Sequence, residues 1–160
     1  MDNRYKRLAS SPAFWIRGLF CGLVSGVGLG LFLKIIEQAS GHLVYRLLLN
    51  VDFVSFLPPR LPEWIEFGLH LMVALAIGLV YAFWNSILAY PRPLLTATVL
   101  GLLSSLLFFP LASLSDRVPA PGDMQAFGWW FAGHLLFGIL LYASNRTMQL
   151  VPFANGSDKA

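Results

Sequence analysis

The sequence predicts an all-α integral membrane protein with four transmembrane helices. Of its 160 residues, 57% are hydrophobic and 12% are charged, whereas soluble domains carry about 25% charged residues. The mean hydropathy of +0.67 applies to the whole chain, and a soluble core of this size could not bury so much apolar surface. Cys21 is the single cysteine, so no intrachain disulfide can form. These observations exclude a soluble globular protein, a disordered chain and a disulfide-stapled secreted domain.

Four continuous apolar stretches are long enough to cross a bilayer. A hydrocarbon core about 30 Å thick needs about 20 helical residues. Because the apolar runs are continuous and do not alternate with polar residues, helices are favoured over a β-barrel. The predicted spans form one membrane domain over residues 1–160 and cover residues 14–36, 64–88, 94–114 and 127–144.

Prolines shape the chain around the third span. The segment Tyr90-Pro91-Arg92-Pro93 predicts a tight turn, which would make the second and third spans antiparallel neighbours. Pro110 has no amide hydrogen to donate, so we expect it to kink the far end of the third span.

The distribution of basic residues predicts the orientation. Lysine and arginine are more frequent in cytoplasmic segments. With the N-terminus inside, seven basic residues fall on the inner side and four on the outer side, so both termini are predicted to be cytoplasmic. The inner residues are Arg4, Lys6, Arg7, Arg17, Arg92, Arg146 and Lys159, and the outer residues are Lys34, Arg46, Arg60 and Arg117.

The first outer loop contains an amphipathic segment. His42, Arg46 and Asn50 recur at a spacing of four residues, which places them on one face of a helix. The other face would carry Leu43, Leu47, Leu48, Val51 and Val54. Such a helix would lie on the outer membrane surface or pack across the bundle. The alternative is that the first span extends outward as one long helix, since the period alone does not place the segment.

The first span carries four glycines in one row, and we call this row the glycine ridge. Gly18, Gly22, Gly26 and Gly30 are spaced four residues apart. A surface without side chains lets another helix approach closely. The ridge, which resembles a glycine zipper, predicts helix packing against a helix of the same chain, a second copy or another membrane protein. A groove for a ligand or lipid is the alternative.

Six ionisable groups are predicted to line one polar pocket in the outer half of the bundle. They are Lys34, Glu37, Glu63, Glu66, His70 and His134. Charged groups in hydrocarbon are costly, so they should face inward and pair, for example Lys34 with Glu66. The segments Phe67-Gly68-Leu69-His70-Leu71 and Phe131-Ala132-Gly133-His134-Leu135 suggest an internal repeat, which would make the two histidines equivalent partners.

Several functions are compatible with this pocket. Glu66, His70 and His134 could exchange protons along an ion path, act as metal ligands, hold a haem between the histidines, or form interhelical hydrogen bonds near a wet outer end. The sequence has no serine–histidine–aspartate spacing, no cysteine pair and no phosphate loop. We therefore expect a protein that is not an enzyme, with no catalytic residues, resident metal or cofactor. A net charge of +3 is a weak argument for nucleic acid, so none is expected, and the lipid bilayer is the expected partner.

The chain resembles a family of small bacterial inner-membrane proteins, the YagU/YqhR type. The motifs are Pro58-Pro59-Arg60 after the first span, Phe108-Phe109-Pro110-Leu111, and Gly133-His134-Leu135-Leu136-Phe137-Gly138. The resemblance covers about residues 14–146 and implies a four-helix plasma-membrane protein of undefined biochemistry. It also implies a link to acid tolerance, which is associated with the YagU branch.

The favoured interpretation is a non-enzymatic multi-pass protein of the bacterial inner membrane with an outward-facing polar pocket. The alternative is a small proton- or ion-coupled transporter or channel subunit. The sequence does not identify its ligand.

Overall fold

The regular structure in the described part of the chain is entirely helical. The computed structural model describes residues 11–54, 57–58, 61–87 and 91–150. Within these residues six helices follow one another and there are no strands. They are α1 (Pro12–Ser40), α2 (Val44–Leu49), α3 (Glu63–Ile87), α4 (Pro93–Ser105), α5 (Phe108–Ala112) and α6 (Met124–Leu150).

The prediction of four spans is confirmed for the described residues. α1, α3, α6 and the combined segment Pro93–Ala112 are long and apolar enough to cross a membrane. α1 and α6 extend beyond the predicted bounds at both of their ends. The predicted end of the second span, Leu88, lies outside the described residues, as does Tyr90 of the predicted turn.

α1 ends at Ser40 and is capped by Gly41, after which the chain turns back over the bundle. Gly41 has a φ of +77° and donates its amide hydrogen to the carbonyl of Glu37, a left-handed cap that glycine adopts without a Cβ clash. The short helix α2 follows and packs against α1, α3, α5 and α6. Val44 and Leu47 are fully buried in this contact. The first span therefore does not continue as one long helix, and α2 covers one end of the bundle. We call this end the capped end.

A break divides the third span into α4 and α5. Pro110 cannot donate to the carbonyl of Leu106, and its ring would clash with that carbonyl in a continuous helix. The backbone instead forms hydrogen bonds that span three residues. The amide of Leu106 donates to the carbonyl of Leu103 at 3.3 Å, and that of Leu107 donates to the carbonyl of Ser104 at 3.2 Å. The expected kink is thus a short tightened turn at Leu106 and Leu107, where both residues keep right-handed helical dihedrals but the regular i to i−4 pattern is interrupted.

The long helices pack in the order α3, α1, α6, α4. α1 packs extensively against both α3 and α6, and α6 packs against α4. The contact between α3 and α4 is much smaller, although they follow one another in the chain. These two helices remain in contact, and each packs more extensively on another helix. Their other faces pack on α1 and α6, where small residues allow a closer approach.

The glycine ridge of α1 packs against α3 of the same chain. A Cβ atom on Gly22 would lie 2.5 Å from the carbonyl oxygen of Ala74, and one on Gly26 would lie 2.5 Å from the Cβ atom of Ala74. One on Gly30 would lie 2.5 Å from the ring of Phe67. α1 thus lies closer to α3 than a side chain at these three positions would permit. Association with a second copy or another membrane protein is a separate prediction that this internal contact does not test.

A second close contact joins α4 and α6. A Cβ atom on Gly101 would lie 2.5 Å from the carbonyl oxygen of His134, and one on Gly138 would lie 2.8 Å from that of Ala97. The sequence pattern did not predict this contact, because a single glycine on each helix forms no repeating row. The contact fixes α4 on α6 at the level of His134.

Candidate functional site

Two adjoining cavities lie near the capped end of the bundle. The first, which we call the polar pocket, has a volume of about 460 Å³ and is lined by charged side chains. The second, which we call the apolar cavity, has a volume of about 320 Å³ and lies deeper. Asn50 and Glu66 line both cavities. The six predicted site residues are therefore divided between two compartments that meet at Glu66.

Lys34 pairs with Glu63 at the rim of the polar pocket. The Lys34 Nζ atom lies 2.6 Å from Oε1 of Glu63, so the suggested pairing of Lys34 with Glu66 is wrong. Because α3 begins at Glu63 while α1 still continues towards the capped end, the first residue of α3 is at the level of Lys34. Tyr45 donates its hydroxyl hydrogen to the same Glu63 oxygen at 2.9 Å. Burial, and then the neighbouring carboxylates, raise the pKa of Tyr45 above its usual value, so it remains a hydrogen-bond donor.

Glu37 caps α2. Its Oε2 atom accepts the backbone amide hydrogens of Tyr45 at 2.8 Å and of Arg46 at 2.9 Å. The Arg46 Nε atom also lies 3.5 Å from Oε1 of Glu37. A carboxylate is stabilised by free amides and by the positive end of the helix dipole. Glu37 therefore holds α2 on the bundle, and its charge is already compensated.

Asp52 and Arg117 form the third charged pair of the polar pocket. Asp52 accepts hydrogen bonds from the Arg117 guanidinium, including one from Nε at 3.0 Å, and from the Ser115 hydroxyl at 2.7 Å. The bond from Arg117 is the main reason why the pKa of Asp52 is lowered from its usual value. The pair ties the segment after α2 to the segment between α5 and α6.

This pair predicts a pH-dependent contribution to stability. A carboxylate with a lowered native pKa stabilises the fold fully above its unfolded pKa of about 3.9, and the contribution disappears as pH falls through the native pKa. We expect Asp52→Asn to melt earlier than the wild type at neutral pH, with the difference vanishing in acid. The effect should be modest and smaller at high salt, because the Arg117 side chain is exposed.

Thermal unfolding in detergent from about pH 7 to about pH 2.5, a range that brackets the reference value, measures this difference. Asp116→Asn is the matched control, since Asp116 is exposed and one residue from Arg117. A difference between wild type and Asp52→Asn that grows in acid would contradict the assignment.

Glu66 is the unpaired charge at the boundary. Three cations and four carboxylates line the polar pocket, and three pairs account for all the cations. Within the described residues the Glu66 carboxylate has no hydrogen bond or salt bridge. The boundary between the cavities therefore carries one excess carboxylate.

The apolar cavity lies between α3 and the broken third span. Val73 and Ile77 of α3 and Leu107 and Leu111 after the break all line it. Leu29 of α1, Leu48 of α2 and Phe137 of α6 complete its apolar lining. Its polar lining consists of Asn50, Glu66, His70, Ser104 and His134. Both histidines of the suggested repeat thus line one cavity, but that cavity is mostly apolar.

His70 is oriented by a backbone carbonyl of the glycine ridge. Its Nε2 atom lies 3.1 Å from the carbonyl oxygen of Gly26. Since a carbonyl oxygen only accepts, Nε2 carries the hydrogen and donates it. In the neutral ring, Nδ1 then holds a lone pair and can accept a hydrogen bond.

His134 is oriented by its own helix and by Trp130. Its Nδ1 atom donates to the carbonyl oxygen of Trp130 at 2.9 Å, and its ring stacks on the Trp130 indole with centroids 4.4 Å apart. Only 4% of His134 is exposed. Its Nε2 atom is the remaining acceptor of the neutral ring, and no described side chain donates to it.

Trp130 fixes this arrangement from the side of the helix break. Its Nε1 atom donates to the carbonyl oxygen of Ser105 at 2.9 Å, the last residue of α4. Its ring also contacts Phe108 edge-on, with centroids 6.2 Å apart. The sequence did not predict Trp130, Asn50, Ser104 or the Asp52–Arg117 pair as site residues, because their positions depend on the turn between α4 and α5 or on the folded-back loop.

The described residues contain no group of three or more histidine, cysteine, aspartate or glutamate side chains arranged to hold a metal ion. Glu66, His70 and His134 line one cavity, but they do not form a three-ligand site. These three residues instead provide hydrogen-bond acceptors in a mostly apolar cavity.

Comparisons with protein-family models, with curated proteins and with solved structures found no match. The geometry of the two cavities is therefore the support for a functional proposal.

Proposed function

We propose that the protein is a non-enzymatic multi-pass membrane protein that binds a small ligand in the apolar cavity and the adjoining polar pocket. The observation that supports this is the junction at Glu66, where a cavity of about 320 Å³ meets a charged pocket of about 460 Å³. Ligand sites in proteins are mostly apolar cavities with a few placed polar groups. His70 and His134 are such groups, because each ring is fixed by one hydrogen bond and leaves one acceptor.

The absence of catalytic machinery around this cavity within the described residues supports a binding role. Ser104 is the one hydroxyl side chain among the cavity-lining residues, and no hydrogen bond joins it to either imidazole. An activated nucleophile requires a base within hydrogen-bond reach. We therefore propose binding without covalent chemistry.

We also propose that the capped end faces outward across the bacterial inner membrane, with both termini inside. The support is the excess of basic residues on the inner side, of which Arg17, Arg92 and Arg146 lie within the described residues. Arg4, Lys6, Arg7, Arg60 and Lys159 lie outside them. Membership of the YagU/YqhR-type family is a further proposal, and its support is the set of short motifs given above.

Reporter fusions test this orientation. Fusions after Arg92 and after Arg146 should be active with a cytoplasmic reporter, and a fusion after Arg117 should be active with an external reporter. The reason is that the predicted inner side carries seven basic residues and the outer side four, and basic residues favour the cytoplasmic side. An external signal at Arg146 would contradict the proposed orientation.

Native mass spectrometry of the purified protein tests the binding role. Ser104→Phe places a ring in the apolar cavity, whereas Leu103→Phe places the same ring at a neighbouring site that is 58% exposed. We expect the wild type and Leu103→Phe to retain a small molecule that Ser104→Phe loses. Equal retention by all three proteins would contradict a site in this cavity. Uptake of protons or ions by liposomes containing the wild type would instead support the transporter alternative.

A further inference from the structure

The inference concerns the chemical class of the ligand, and it rests on the proposed binding function. Three features of the cavities restrict that class. They are the excess charge at the boundary, the hydrogen-bonding character of the buried groups, and the shape and opening of the apolar cavity.

The charge of the boundary is negative. Lys34, Arg46 and Arg117 are each engaged by a carboxylate, while Glu66 forms no hydrogen bond or salt bridge with a described side chain. Arg117 attracts Glu66 electrostatically, but its guanidinium is bound to Asp52. An anionic head group at Glu66 would meet a like charge, and it could recruit a cation only by breaking an existing pair. A cationic head group would supply the partner that Glu66 lacks.

Most of the polar groups that line the boundary and the apolar cavity are acceptors, and the exception is the buried amide nitrogen of Asn50, which has no hydrogen-bond partner among the described residues. His70 uses Nε2 to donate to Gly26 and His134 uses Nδ1 to donate to Trp130, so each neutral ring presents a lone pair. The carboxylate of Glu66 also only accepts when ionised. A buried acceptor left without a donor is unfavourable. The site is therefore complementary to a head group that carries several N–H donors.

The apolar cavity is long and opens towards lipid. Glu66 and Ile77 both line it, and eleven helical residues at 1.5 Å each separate them by about 16 Å. The volume of about 320 Å³ is many times the ~10–15 Å³ that a single water-sized group needs. Val73 at its edge is 56% exposed, and α3 and α4 make little contact with each other. A hydrocarbon chain can therefore enter sideways from the bilayer.

We propose that the ligand is a single-chain amphiphile with a protonated amine head group. The chain lies in the apolar cavity along α3, and the ammonium group binds the Glu66 carboxylate with further hydrogen bonds to His70 and His134. Free long-chain amines and single-chain aminolipids share this chemistry. The ammonium supplies three donors, which can reach the acceptors on Glu66, His70 and His134, while the Asn50 amide nitrogen is a donor that it does not satisfy.

Three synthetic probes with the same chain test the proposal. They are dodecylamine, dodecanol and dodecyl phosphate, each titrated against the full-length protein in a neutral steroid-based detergent, with binding followed by the shift in thermal unfolding. We expect dodecylamine to bind about tenfold or more tightly than dodecyl phosphate, a difference readily resolved in such a titration. Dodecanol should bind with intermediate affinity, because its hydroxyl supplies one donor and no charge.

Matched variants assign the preference to Glu66. Glu66→Gln removes the charge with little change of shape, so it should remove the preference for the amine over the phosphate while leaving dodecanol binding intact. Retained dodecanol binding also shows that the variant is folded. Asp116→Asn removes one negative charge from an exposed site and should retain the full preference.

The outcomes separate this inference from the proposed function. If dodecyl phosphate binds the wild type as tightly as dodecylamine, or if Glu66→Gln keeps the preference, the assignment of an amine is wrong and the cavity remains a binding site. If the wild type binds none of the three probes, or if Ser104→Phe binds dodecanol as tightly as the wild type, the proposed function itself is wrong.

Discussion

Replacing Gly78 by alanine is expected to destabilise the bundle more than any other single methyl addition in α3. A Cβ atom on Gly78 would collide with the carbonyl oxygen of Gly18, and it would lie 2.5 Å from the nitrogen and 2.6 Å from the Cα atom of Gly22. All three are backbone atoms, so no side chain can rotate away. Overpacking typically costs about 1–3 kcal/mol where side chains can adjust, and we expect about 3 kcal/mol or more here.

Gly68→Ala is the matched control for this prediction. Gly68 is in the same helix, and a Cβ atom there would have no neighbour within 4 Å. Alanine is favoured over glycine inside a helix by about 0.5–1 kcal/mol, so Gly68→Ala should be neutral or stabilising. Thermal unfolding in detergent measures both variants. Equal melting temperatures would show that α1 and α3 are not in backbone contact.

Removing the Trp130 side chain is expected to have the second large effect. The side chain is 2% exposed and connects three features: the Ser105 carbonyl at the helix break, the ring of Phe108 and the ring of His134. Truncation of a buried aromatic residue to alanine costs about 3–5 kcal/mol. Trp130→Phe would keep most of the packing but leave the Ser105 carbonyl without this donor, which we expect to cost about 1–3 kcal/mol.

The neighbouring tryptophan provides the comparison. Trp129 is 39% exposed, so Trp129→Ala should change the free energy of unfolding by about 0.5 kcal/mol or less, as for other surface substitutions. Unfolding followed by circular dichroism would measure the three variants. If Trp129→Ala and Trp130→Ala unfold alike, Trp130 does not hold α6 on the helix break.

The long apolar runs were sufficient to predict the four spans, because the thickness of a bilayer fixes the length of a spanning helix. The glycine ridge likewise predicted close helix packing. Its partner was not predictable, since glycines at the same spacing fit any helix with small residues. Ala74 and Gly78 of α3 meet the ridge only because the chain returns antiparallel beside α1.

Part of the candidate site was predictable as residues, but its geometry was not. A spacing of i, i+3, i+7 places Glu63, Glu66 and His70 on one face, yet it does not show which carboxylate is level with Lys34. A register difference of one helical turn decides that Lys34 pairs with Glu63. Glu66 is consequently left unpaired, and this unpaired charge is the basis of the proposed ligand preference.

The division of the pocket depended on contacts that are distant in sequence. Pro110 predicted a bend, but the size of the resulting gap depends on where α6 holds α4. That position is set by the contact of Gly101 with the His134 carbonyl and by the bond from Trp130 to Ser105. No local pattern in the chain carries this information.

A density map of the full-length protein in lipid nanodiscs tests the central claim most directly. The claim is that the space between α3 and the broken third span is a ligand site. We predict elongated density that runs along α3 from Glu66 towards Ile77, with its polar end within hydrogen-bond distance of Glu66, His70 or His134. A map in which α3 packs directly against α4 and α5, with no space beside His70 and His134, would contradict the account.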